Sequence, residues 1–263
     1  MSIDALKKVG TALDDGLLAI STSKSFVRYA HDLRKGGQIM WQAVPAEQRP
    51  LLQSFLAQKA FNPEEINRAL YAVTCAALEG FVRSLVQSAV QEIGKLYTSF
   101  DEIPEKLRNR NYSVCGRALA QIFNHPDHWK VDFTKLAEDL GACVPGSRRA
   151  VLSSDVFGLF IGQITPTNVT EVFDWIGVTI DWAQVAREPR MKKLVQTVSN
   201  PPAEVQRKLR QIIRTRNRIV HMGEGISTIS QSELEDAIDF VAALAEALVR
   251  QVESKIERRQ LKF

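Results

Sequence analysis

The chain has 263 residues, 45% of them hydrophobic and 24% charged, ample material for the core of one large domain or two small ones. No uninterrupted apolar run approaches the roughly 18 residues that span a bilayer, and the N-terminus Met1–Val9 mixes charges without a signal-peptide pattern. Cys75, Cys115 and Cys143 are odd in number and far apart, which suits a reducing cytoplasm better than a disulfide framework.

Helical spacing of apolar residues dominates, and no series of alternating strands is present, so the expected fold is all-α. A first helix is predicted over Ile3–Ile20, with Leu6, Val9, Leu13, Leu17 and Ile20 on one face. A second runs from Lys24 to Trp41, weakened by Gly36-Gly37, and a short one covers Leu51–Ala60. Asn62-Pro63-Glu64-Glu65 is a strong start signal, with a capping Asn, a proline at the first helical position and acids in the first turn. The helix it opens reaches about Leu96 and carries Leu70, Val73, Ala77, Leu78, Phe81, Leu85 and Val86.

After a break at Asp101–Pro104, another helix covers Glu105–Phe123. An irregular segment starts at Asn124, with a short helix near Phe133–Leu140. The aromatics Phe173, Trp175 and Trp182 read as packing beneath a connection. Pro201-Pro202 opens a helix that ends at His221. Ser230 or Ser232 caps the last one, where Ser232 to Glu235 resembles a capping box. The expected architecture is an up-and-down bundle of helices 63–96, 105–123, 201–221 and 230–257. A helical extension over 1–60 precedes it, and an elaboration at about 124–200 interrupts it.

Charge is unevenly placed. The net charge is +4, but Arg187 to His221 holds ten Lys or Arg against two Glu, so the remainder sums to −4. A basic block in a mildly acidic protein is an electrostatic footprint for a polyanion. The block ends on Arg214-Thr-Arg216-Asn217-Arg218-Ile-Val-His221. His221, with an ordinary pKa of about 6.5, can serve as general base or acid near neutral pH. Arg216 stays charged and can grip a phosphate bidentately. Asn217 can orient either partner, and Arg210, Arg214 and Arg218 supply backbone attraction for RNA. Five residues at 100° each put Arg216 and His221 about 140° apart, so the long Arg side chain or fraying of the last turn must close the gap.

Arg216-Asn217-x-x-x-His221 resembles the R-N-x-x-x-H signature of HEPN domains, small helical bundles that include many metal-independent ribonucleases. The stretch Leu70–Arg83, with Glu79 in an apolar helix, is similar to the first core helix of the RiboL-PSP and MAE_28990-like HEPN branch. Thr170–Trp182 and Leu209–Gly223 are similar to its second half, and the likeness covers about 63–260. It implies an endoribonuclease with Arg216, Asn217 and His221 as catalytic residues and Glu79 in support. It also implies RNA as substrate, a homodimer whose two motifs form a composite site, and a toxin or antiphage role with an antitoxin or defence-system partner. The expected location is the cytoplasm, with no membrane, cofactor or metal. A rival reading is a non-catalytic module binding RNA, nucleotide or protein. A third is an RNA-binding subunit of a larger assembly, docked through residues 1–60.

Glu79 needs a partner, since a carboxylate among apolar residues is costly alone. Arg216 or Asn217 across the bundle, or Arg83 one turn on, could supply it, and partial solvation of the carboxylate is the alternative. His125 and His128 have no Cys or further His nearby, so they do not imply a metal. Arg108-Asn-Arg-Asn111 mimics the start of the motif without its His, and reads as a second RNA contact or an exposed helix side.

Overall fold

The computed structural model describes residues 6, 8–19, 63–124, 132–148, 151–221 and 228–263. Among them there is no strand. In chain order the helices are α1 (residues 8–19), α2 (Pro63–Gly94), α3 (Glu105–Asn124), α4 (Phe133–Ala142) and α5 (Ser154–Phe157). They continue as α6 (Pro166–Asp174), α7 (Trp182–Arg187), α8 (Pro189–Val195), α9 (Pro201–His221) and α10 (Gln231–Glu257). The expected helices over 24–41 and 51–60 lie outside the described residues, as do His125 and His128.

The centre is α2, whose most extensive helix contact is with α10, followed by α5 and α9. Leu78, Val82, Leu85, Val86, Ala89, Val90 and Ile93 are all fully buried along it. By length and a mean hydropathy of 1.4, Glu64–Gly94 would suffice to cross a membrane, although charged residues interrupt it and 44% of the window is buried inside the protein. One polar row interrupts that apolarity. Glu79, Arg83, Gln87 and Gln91 recur every four residues and so share one ridge. Arg83 donates to the Ile161 carbonyl at 3.0 Å, Gln87 to the Asp155 carbonyl at 3.0 Å and Gln91 to the Ser154 hydroxyl at 3.1 Å.

The last helix begins at a complete capping box, two residues earlier than Ser232–Glu235. The Ser230 hydroxyl accepts from the Glu233 amide at 3.2 Å, and the Glu233 carboxylate accepts from the Ser230 amide at 2.8 Å. Leu6, Leu13 and Leu17 enter the same apolar core, and Gly10 of α1 faces Val249 of α10.

Two expectations are corrected. α3 does not complete a four-helix bundle: its main helix contacts are with α4 and α5, where Leu107, Val114, Cys115 and Ala118 are buried. The middle segment is also more regular than expected, and side-chain caps start three of its short helices. The Asp132 carboxylate caps α4, the Thr165 hydroxyl α6 and the Asp181 carboxylate α7. α7 packs directly on α9, which ties this segment to the motif-bearing helix.

Candidate functional site

On α9 the residues Val205, Leu209, Ile212 and Ile213 are buried. Arg216 lies three and four residues beyond the last two, so it continues their stripe and faces inward. A half-buried guanidinium needs a counter-charge. α2 provides it: Arg216 Nη2 stands 3.8 Å from Glu79 Oε2, with the side chains 23% and 15% exposed. Arg216 Nη1 also donates to Asn217 Oδ1 at 3.2 Å. Of the partners open to Glu79, the one across the bundle is formed, while Arg83 is engaged with the Ile161 carbonyl.

The seam around this pair is polar in a way the sequence reading missed. Tyr71, Cys75 and Glu79 are spaced four apart on α2 and form one ridge toward α9. Cys75 is fully buried, and burial pushes its thiol up to about 12; the Arg216 guanidinium opposes that shift and the Glu79 carboxylate reinforces it. Burial likewise raises the Tyr71 phenol, with the Thr215 side chain opposing the shift. The four-residue spacing back from Glu79 was the available signal.

His221 is the last residue of α9 and is exposed, as are Arg210, Arg214 and Arg218. The angular gap between Arg216 and His221 therefore stays open. α9 remains helical through His221, and Arg216 is turned to Glu79. Asn217 connects the two sectors: it accepts from Arg216 and lies one turn before His221 on the outer side. Chemically, the helix end offers a solvent-facing imidazole beside cationic side chains, over a half-buried ion pair that sets the position of the Asn217 amide. Gly223, the expected helix stop, lies outside the described residues. A small cavity of about 130 Å³ borders the seam between α9 and α10, lined by Tyr71, Thr215, Lys208 and Glu233 among others.

The Arg108–Asn111 segment has other work. Arg108 pairs with Asp101 at 3.5 Å and lies over Phe100, while Arg110 stacks on Trp175. Asn111 is fully buried and bridges the Cys143 thiol, at 3.3 Å, and the Ser153 amide, at 3.0 Å. Burial also raises Cys115, and lifts Cys143 to about 11.

No curated protein and no solved structure matches the chain. The family model of RiboL-PSP-HEPN matches residues 49–254, from within the stretch assigned to an N-terminal extension almost to the end of α10. That span takes in α2 with Glu79 and α9 with Arg216, Asn217 and His221. With most of its length matched, an all-α architecture and the two helices of the site inside the match, the chain belongs to the RiboL-PSP-HEPN family.

Proposed function

We propose that the protein is a metal-independent endoribonuclease of the HEPN type, acting as a homodimer. HEPN domains are generally ribonucleases or nucleotide-binding modules. The observation that carries the catalytic reading is the continuous Glu79–Arg216–Asn217 chain of contacts ending one turn from an exposed His221. In this reading His221 takes the proton from a ribose 2′-hydroxyl. The 2′-oxygen attacks the adjacent phosphorus, the 5′-oxygen leaves, and a 2′,3′-cyclic phosphate and a 5′-hydroxyl result. Arg216 carries positive charge to the phosphorane, while Glu79 fixes the guanidinium and Asn217 orients the imidazole or the phosphate. One imidazole cannot both accept the first proton and hand one to the leaving oxygen in the same step. A two-fold related His221 provides the second group, hence the homodimer. The biological role proposed with it is that of a cytoplasmic toxin or antiphage effector, restrained by an antitoxin or defence-system partner.

A non-catalytic RNA- or nucleotide-binding module is the second reading. It is favoured by one observation, the inward turn of Arg216 away from the His221 face. The deciding experiment is cleavage of total RNA in excess EDTA by the full chain and by His221→Ala, with product ends mapped. Cutting that leaves cyclic phosphate ends and disappears in the variant supports the enzyme. RNA binding without cutting by either protein supports the module.

A further inference from the structure

A furrow of about 580 Å³ lies among the first turn of α3, α6 and the start of α7, and reaches α9 at Gln206. This volume falls within the usual range for small-molecule sites, about 300–1,000 Å³. Its walls combine Trp175 and Trp182 with Lys106, Glu171 and Asp174. Trp182 is held in place: its indole N–H donates to the Thr170 hydroxyl at 3.1 Å, which itself donates to the Pro166 carbonyl at 3.0 Å. Its one donor being used, Trp182 presents a flat apolar face. Trp175 is backed by Arg110, whose guanidinium carbon lies 3.4 Å from the ring centroid. Burial and the neighbouring Arg117 oppose the charge on Arg110, while the Glu171 carboxylate in the furrow wall supports it.

Gln206 also begins the outward ridge of α9. From it, Arg210, Arg214 and Arg218 follow at four-residue steps, each advancing about 6 Å along the axis and turning about 40°. His221 falls inside the same sector, about 22 Å of axis beyond Gln206. The furrow and the imidazole are thus the two ends of one cationic track.

We propose that this furrow is a base-binding subsite for single-stranded RNA, holding one nucleobase a few nucleotides away from the phosphate at His221. The inference rests on the ribonuclease reading for the role of that phosphate. Indole faces stack on any base. The two carboxylates repel a phosphate inside the furrow, so the backbone stays on the arginine ridge and the base enters. Glu171 and Asp174 accept hydrogen bonds only. They favour a base with adjacent N–H donors, which guanine offers through its imino and amino groups. Uracil offers a single N–H flanked by carbonyl oxygens that the carboxylates repel.

The test uses the full-length His221→Ala protein and two fluorescent probes, decauridylate and the same decamer with one central guanosine. The guanosine probe binds about tenfold tighter. Trp182→Ala on that background abolishes the preference, and so does Glu171→Gln, a near-isosteric change at an exposed position. Arg210→Ala weakens both probes alike. Equal affinity for the two probes overturns the proposal, as does a preference that survives both substitutions. Cleavage by the wild-type chain is scored separately. A guanosine preference lost in Trp182→Ala, from a protein that never cuts RNA, keeps the subsite and removes the catalytic reading. Cutting without the preference does the reverse.

Discussion

Arg216 is presented to the core of the bundle and is met there by Glu79 at 3.8 Å, so the most distinctive cation of the motif doubles as a packing residue between α2 and α9. Removing either partner leaves a half-buried charge without its counterpart. Glu79→Ala lowers stability by about 1–3 kcal/mol in urea unfolding. Combining it with Arg216→Met restores much of that loss, because an uncharged pair packs without a desolvation penalty. Stability that falls additively in the double variant would refute the coupling.

His221 behaves differently, being exposed at the helix end. His221→Ala changes stability by no more than about 0.5 kcal/mol while abolishing RNA cleavage. Thermal melts followed by circular dichroism, run beside the cleavage assay, separate it from Arg216→Ala, which loses both. A His221→Ala protein that melts well below the wild type would place the imidazole in the fold rather than in the chemistry.

On the proposed RNA-binding role, the outward arginines are expected to set the ionic-strength dependence of binding. Each phosphate contact on a single strand contributes about 0.7 to the slope of log affinity against log salt. Arg210→Ala and Arg214→Ala each flatten the slope by about that amount, read from titrations at several salt concentrations. An unchanged slope in both would take the RNA backbone off this ridge.

The cysteines make the fold sensitive to alkali. Burial raises Cys75 to about 12 and Cys143 to about 11, whereas a thiol in an unfolded chain titrates at about 8.5. Above that pH the unfolded state loses protons that the folded state keeps, so stability is intact below about pH 8.5 and declines as pH rises toward the folded values. Each thiol contributes a slope of about 1.4 kcal/mol per pH unit. Urea unfolding between pH 8 and 10 measures it. Replacing Cys75 and Cys143 by Ala reduces the slope, and one that persists in full would mean other groups carry it.

The long helices were legible because their ends are written in the sequence. Pro63 with Glu64 and Glu65, Pro201, and Ser230 each mark a start within a residue or two of the observed one. Between residues 124 and 200 the helices are too short to display a period, and their caps, Asp132, Thr165 and Asp181, are residue types equally at home in loops. The amphipathic pattern of α3 announces a buried face without naming what covers it, which is why its place beside α4 and α5 needed coordinates. At the site, Glu79 could be anticipated, since a carboxylate among apolar neighbours demands a cation. Cys75 and Tyr71 look like ordinary core residues until α9 is laid beside them.

A helix as oily as α2 has little reason of its own to prefer one rotation about its axis over another. The row Glu79–Arg83–Gln87–Gln91 acts as a key cut along its length, and α5, the carbonyl of Ile161 and Arg216 are the wards it must fit. Turning α2 by one position would strand all four teeth at once. The aim of Glu79 at Arg216 is therefore fixed partly by Gln91, about 18 Å away along the same rod. Loosening that far end would misdirect the carboxylate without touching any residue of the motif.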